Sequence, residues 1–423
     1  MSSSDSTAAL VISLIGGSHF VNHMYFMLLP PIFGALQADL GITTGQSGLA
    51  LGVVGFVVVA LQLPLGYLSD AHSRTLVLGI SLTFGALGAA LTAATQGFAS
   101  LLVAAVVTGI GLGGHHPSHY PMLAAATDPD ARGRAFSIHG FTGALGFAVP
   151  PAIVGALTWL SGPSGRVGPV ADWRAAIGLI AVIGALYAAG CLWIVRRRIP
   201  SSVTTAPGTT TPDRPSMQSL PSRFVSGLVS ILSARAIVLL TVLWFLTSMA
   251  NWGVQAYTQP LLTAGYGIPA GTANLLVSAM LTIGAVAILA GGWLSDRYGA
   301  RAVILGGFGG LIAIAGALAS GLLPIAAALG VTLLMASTIK AGRPALSKLG
   351  DRLSARDDLG KNFGLLTVGI SGGGAVAPPV FGRLTDIGSI QIVFGSIAAI
   401  GVVAFLFTFV VLAVGDRSDT DER

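Results

Sequence analysis

The segment Gly66–Arg74 reads GYLSDAHSR, and far downstream Gly292–Arg301 reads GWLSDRYGAR. The likeness is not isolated. His115–Pro117 (HHP) answers to Gly342–Pro344 (GRP), Gly133–Phe136 (GRAF) to Gly360–Phe363 (GKNF), and Gly146–Pro151 (GFAVPP) to Gly374–Pro379 (GAVAPP). All share an offset of about 227 residues, and Asn22 stands to Pro31 as Asn251 stands to Pro260. Matches at one offset, each in the same ordinal segment of its half, mark the chain as a tandem duplication.

The solvent of that duplicated unit follows from composition. Of 423 residues 53% are hydrophobic and 9% charged, and the mean hydropathy is +0.82. A soluble domain carries about 25% charged residues, so this chain belongs in a bilayer. Its 58 glycines suit helices that must pack closely without a hydrophobic drive between them. Twelve apolar stretches, from 9–36 to 389–414, approach or exceed the roughly 20 residues a spanning helix needs. The Pro-, Ser- and Thr-rich run between the sixth and seventh is too polar to bury. The expected fold is therefore an all-α membrane protein of twelve transmembrane helices in two parallel six-helix repeats. Residues 1–196 and 235–423 form the two bundles, and 197–234 a cytoplasmic linker. The opening MSSSDST lacks a basic n-region, so the first apolar run is expected to be retained. The single cysteine, Cys191, excludes an intrachain disulfide.

Orientation follows from the cations. With the N-terminus placed in the cytoplasm, seventeen of the 22 Lys and Arg fall on that side. Arg166 and Arg174 alone fall on the other, a strong positive-inside bias. Both termini are therefore expected to be cytoplasmic, in the inner membrane of a cell. The net charge of +6 then reflects loop topology rather than nucleic-acid binding. No long loop or carboxylate pair suggests an enzyme, and no cofactor is indicated.

The core carries an unusual charge pattern. No Asp or Glu lies in mid-helix; the ionisable groups there are His19, His23, His115, His116, His119, Lys340 and Arg343, with His139 nearer the cytoplasmic end. Ionisable groups inside a membrane are costly and by default functional. His19 and His23 share a helix face, as do His115 and His119, and Lys340 and Arg343. Arg343 occupies the repeat position of His116. Without acidic counterions this set describes a cavity of positive potential, suited to a carboxylate, phosphonate or phosphate. Asn22 and Asn251, repeat partners of each other, complete the candidate binding set. His19, His23 and His116 are the candidate proton carriers, since histidine titrates near neutrality. No metal ligands are assigned; an alternative reading takes His19, His23 and Met27, with His119 and Met122, as a stripe for copper. Arg383 and Asp386, three residues apart, are expected to pair structurally.

Twelve helices in two parallel halves, with G-x-L-x-D-R-x-G-R-like loops after the second and eighth, resemble the major facilitator superfamily of secondary transporters. The resemblance implies alternating access to a small-molecule substrate, by a chain expected to act as a monomer. It also implies a conformational latch at those loops, with Asp70 and Arg74 in the first copy and Asp296, Arg297 and Arg301 in the second. The first copy departs from the pattern at Ala71-His72-Ser73. Gly111–Pro151 is similar to the G-x-G-x-x-x-x-H-P and R-G-x-A segments of the fosmidomycin-resistance-like exporters, which implies proton-coupled efflux. Here His115 and Ser118 flank His116-Pro117 where that subfamily commonly shows an apolar residue and Glu.

Overall fold

In hydrocarbon every backbone amide needs a partner within its own segment, so apolar stretches of this length become helices. The computed structural model describes residues 3–161, 169–205, 235–354 and 359–421. Seventeen α-helices and no strand occur among the described residues. They are α1 (Ser3–Phe26), α2 (Phe33–Leu40), α3 (Thr44–Ala71), α4 (Arg74–Ala93), α5 (Phe98–Gly113), α6 (His115–Ala126), α7 (Pro129–Gly146), α8 (Val149–Ser161) and α9 (Pro169–Arg198). After the short α10 (Ser201–Thr204) come α11 (Arg235–Pro260), α12 (Ala270–Tyr298), α13 (Ala300–Ala319), α14 (Ile325–Lys340), α15 (Arg343–Arg352), α16 (Leu359–Ile387) and α17 (Ile390–Asp421). Most of the expected linker, and Arg166, Arg214, Arg223 and Arg356, lie outside the described residues.

Eleven described segments are long and apolar enough to cross a membrane. The first of the twelve expected spans is α1, whose 24 residues reach about 36 Å at 1.5 Å per residue. Its hydropathy is lowered by Ser18, His19, Asn22 and His23, the groups it carries into the protein interior.

The duplication is visible in the backbone. Within each half the same ordinal spans pack together: α1 with α7 and α11 with α16, α4 with α9 and α13 with α17, α3 with α5 and α12 with α14. The fourth and tenth spans break at equivalent places, between α5 and α6 at Gly114 and between α14 and α15 at Gly342. Pro117 and Pro344 lie in the first turn after each break, where a missing N–H is tolerated. The two repeat loops are built differently. Ser73 caps α4 by accepting from Leu76 N at 3.2 Å, whereas Gly299 joins α12 to α13 at φ +84, a conformation that favours glycine.

The halves meet along α3 with α16 and α8 with α12. Small residues allow this approach: a Cβ added at Gly52 would stand 2.9 Å from Ala375 O, and one at Gly382 would stand 2.8 Å from Thr44 O. Polar ties between the halves cluster at the end where α3 begins. Asn274 Nδ2 donates to Pro31 O at 3.0 Å, Ser278 Oγ to Ala148 O at 2.8 Å, and Thr43 Oγ1 to Asp386 Oδ2 at 2.8 Å. The expected Arg383–Asp386 pair does not form; Asp386 faces the other half and also accepts from Gly45 N at 3.0 Å. One end of the molecule is thus sealed.

Candidate functional site

A cavity of about 1030 Å³ lies between the halves, reaching from His19, His23 and Phe26 at its depth to Asp70 and Gly292 at its mouth. It opens at the end bearing the two repeat loops, opposite the sealed end. Aromatic rings from both halves shape it: Phe26 and Phe147 stand 5.8 and 6.1 Å from the Trp252 ring.

The wall from the first half is imidazole. His19 stacks on His139 at 3.7 Å between centroids and 10° between planes, and stands 4.0 Å from His23. His115 and His116 lie 3.8 Å apart, and each is within 6 Å of His19. Backbone carbonyls orient these rings. His19 Nδ1 donates to His139 O at 2.6 Å, His23 Nδ1 to Gly143 O at 2.8 Å, and His115 Nδ1 to Leu112 O. The glycine-rich stretch of α7 makes room for them. A Cβ on Gly143 would stand 2.5 Å from His19 Nδ1, and one on Gly146 would stand 3.0 Å from His23 Cβ. In this conformation the stretch is closely packed around the imidazoles.

The second half contributes cations. Lys340, the last residue of α14, is 2% exposed, and its Nζ has no hydrogen-bond partner; it stands 5.7 Å from the Phe147 ring. Arg343, one turn on at the start of α15, stands 6.0 Å from the Trp244 ring and within electrostatic range of His19 and His116. Asp70, at the mouth, is the one carboxylate among the described lining residues.

Two expected site residues lie elsewhere. Asn22 is fully buried inside the first half, donating to Ser18 O at 2.8 Å and accepting from Ser81 Oγ at 3.0 Å, and is not in the cavity wall. His119 is likewise buried behind it, bridging Ser18 Oγ at 2.8 Å and His139 Nε2 at 3.1 Å. Its neighbour Met122, and Met27, are fully buried and do not line the cavity, so the copper stripe is not assembled.

His19, His23, His115, His116, Asn251, Lys340 and Arg343 are brought together. Sequence reasoning set His139 nearer the cytoplasmic end, whereas it stacks on His19 behind the cavity wall, and it missed Gln255, which lines the cavity with both amide atoms unpaired. Gln255 lies one helical turn beyond Asn251, a spacing that could have found it.

The latch residues also pair differently from expectation. Asp296 takes Lys348 of α15 as its partner, while Arg297 stands 5.7 Å from the Tyr298 ring and Arg301 stands 5.3 Å from the Phe409 ring. Arg74 is buried and donates to Val203 O at 3.0 Å, tying α4 to α10. Among the described residues Asp70 has no ion pair. The carboxylates sit where the repeat requires; their partners were misread because a sequence shows neighbours along the chain, not across a helix break.

Two pseudosymmetric helical bundles around a central cavity, sealed at one end, define a membrane carrier. The sequence profile of the Major Facilitator Superfamily matches residues 15–337 and 241–423, and the chain belongs to that superfamily of non-enzymatic transporters. It is 25% identical over 414 residues to an uncharacterized MFS-type transporter, YfnC, of Bacillus subtilis (strain 168), covering 94% of this chain and 92% of that one. It is 26% identical over 296 residues to the fosmidomycin resistance protein of Escherichia coli (strain K12), covering 70% and 67%. Among solved structures, a bacterial homologue of the human lysosomal transporter Spinster, inward-facing and occupied, superposes with a TM-score of 0.77 at 15% identity, over 96% of this chain and 97% of that one.

Proposed function

We propose that the chain exports a small organic anion across the inner membrane by alternating access, coupled to protons. The observation that carries this reading is Lys340 Nζ, buried without a partner beside Arg343 in a cavity whose depth holds no described carboxylate. An unpaired cation in such a place costs several kcal/mol, a cost that an anionic ligand relieves. Asn251 offers a neutral polar contact on the same wall. Export rests on the likeness to the fosmidomycin resistance protein and uptake remains the alternative direction. Proton coupling is assigned to His19, His23 and His116, which face the same space.

With the cation-rich loops in the cytoplasm, the open end faces inward. Both termini and the linker 197–234 are then cytoplasmic, joining bundles 1–196 and 235–423 of a monomer. Asp70, Arg74, Asp296, Arg297 and Arg301 form the region that rearranges when the open end closes. Flux of radiolabelled carboxylates and phosphonates in proteoliposomes tests the substrate class. Saturable flux of anions is expected, and flux confined to neutral analogues would overturn the reading. A cysteine at Ser216 labelled by an impermeant reagent from outside intact cells would reverse the topology.

A further inference from the structure

The imidazole wall has a property that anion binding does not use. A backbone carbonyl can only accept, so each ring nitrogen bonded to one must carry its proton. His19, His23 and His115 all spend Nδ1 in this way, on His139 O, Gly143 O and Leu112 O. In the neutral ring Nε2 then holds the free lone pair. Two of these atoms, His19 Nε2 and His115 Nε2, are buried with no hydrogen-bond partner, on residues 4% and 2% exposed. Fixing the tautomer by donating the far N–H to a carbonyl is the arrangement by which proteins orient metal-ligating histidines.

One ring nitrogen from each of His19, His23, His115 and His116 can be chosen so that all four lie within 4.8 Å of one another. Imidazole nitrogens bound at about 2.1 Å to a tetrahedral ion stand roughly 3.4 Å apart, so an inward shift of about 0.7 Å by each ring of the widest pair suffices. Gly143, whose missing side chain leaves the His19 ring its space, and the helix break at Gly114, which brings His115 and His116 forward, build the site into the backbone.

We propose that His19, His23, His115 and His116 bind one borderline divalent transition-metal ion, such as Zn²⁺, Ni²⁺ or Cu²⁺. An all-imidazole set suits these ions rather than hard Mg²⁺ or Ca²⁺, which prefer oxygen. The ligand set differs from a histidine–methionine stripe, since Met27 and Met122 are packed away from the cavity. Lys340 and Arg343 face the same space, so a bare dication adds charge to a positive cavity. An anionic oxygen ligand shared between the ion and these two cations removes that conflict. The inference rests on the anion reading only for this last ligand; the imidazole site stands without it.

The test titrates tag-free, full-length protein in detergent with Cu²⁺ alone, followed by electron paramagnetic resonance and electron spin-echo envelope modulation. One bound ion per chain with couplings from at least three imidazoles is expected, and Zn²⁺ should displace it. His19→Gln and His115→Gln should each remove one coupled imidazole and weaken binding at least tenfold, whereas His72→Gln, in an exposed loop, should do neither. If the variants fail to fold, the wild-type spectrum decides alone, because fewer than three coupled imidazoles overturns the proposal. So does wild-type affinity in both variants. Anion binding measured in EDTA and metal binding measured without anion can fail independently, which keeps the two readings separable.

Discussion

Thr43 at the start of α3 donates its hydroxyl to Asp386 at the end of α16, at 2.8 Å, across the boundary between the halves. The same carboxylate accepts from Gly45 N at 3.0 Å, so one side chain of the second half caps the first turn of a helix in the first. An acidic group there is favoured by the helix dipole as well. Asp386→Ala removes both bonds. Exposure limits the loss to about 1 kcal/mol, a roughly fivefold shift towards the state open at that end. Double electron–electron resonance between labels on α3 and α16 at this end should show the longer distance gaining population; an unchanged distribution would assign the seal to glycine packing alone.

Lys340 sets function against stability. Lys340→Met removes an unpaired buried cation and is expected to raise the melting temperature in detergent. The same change, like Arg343→Ala, should weaken anion binding by about 1.5 to 3 kcal/mol, the worth of a charge-assisted hydrogen bond. Melting curves and equilibrium binding on the same preparations check both. Unchanged affinity in the two variants would make these residues structural.

Asp70 and Asp296 should separate on mutation. Asp296 is paired with Lys348 of its own half, an exposed pair worth about 0 to 1 kcal/mol. Asp70 lines the mouth without an ion pair among the described residues. Its partner is expected to form only when that end closes. Asp70→Asn should therefore slow transport and deplete the closed-mouth state while leaving binding intact, as a bias on one conformation must. Equal transport rates in Asp70→Asn and wild type would remove Asp70 from the gate.

Gly143→Ala should act first on His19. The added methyl falls on the imidazole, 2.5 Å from Nδ1, so either the ring leaves His139 O or α7 moves away from α1. Overpacking of this kind costs about 1 to 3 kcal/mol. Reduced thermal stability together with a changed His19 ring signal in nitrogen-15 spectra is expected. An unperturbed signal would mean that α7 adjusts instead.

The duplication, the helix count and the solvent were legible because they rest on periodic repeats and long apolar runs. The buried cations were legible too, since a charge in hydrocarbon stands out from its neighbours. Side-chain partnership was not. Asn22 and His119 look identical in sequence to cavity residues, yet helix rotation turns them towards Ser81 and Ser18, and nothing in a single helical face fixes that rotation. His139 was misplaced because α7 runs beside α1, which sets it level with His19 although the two are 120 positions apart.

Histidine protonation should couple to anion binding in metal-free protein. His19, His23 and His116 face the cavity, and Asp70 at the mouth is the one carboxylate in its described wall. His19, His23, His116 and the buried amine of Lys340 are therefore the groups there that can exchange a proton, histidine having an unperturbed pKa of about 6.5. A protonated imidazole attracts the anion, and by linkage the bound anion favours the proton to the same extent. One proton taken up with each anion makes affinity rise up to about tenfold for each unit that pH falls through the coupled range. Linkage of this sign carries anion and proton together, which is symport. Export driven by proton entry needs the opposite linkage, with deprotonation favouring the anion, so the sign of the slope decides between uptake and export. Affinity measured from pH 5.5 to 8 with EDTA present, in wild type and in His19→Gln, His23→Gln and His116→Gln, should show this slope flattened in one variant. A slope that survives all three replacements would exclude these histidines as the carriers, and a pH-independent wild type would make the chain a uniporter or exchanger.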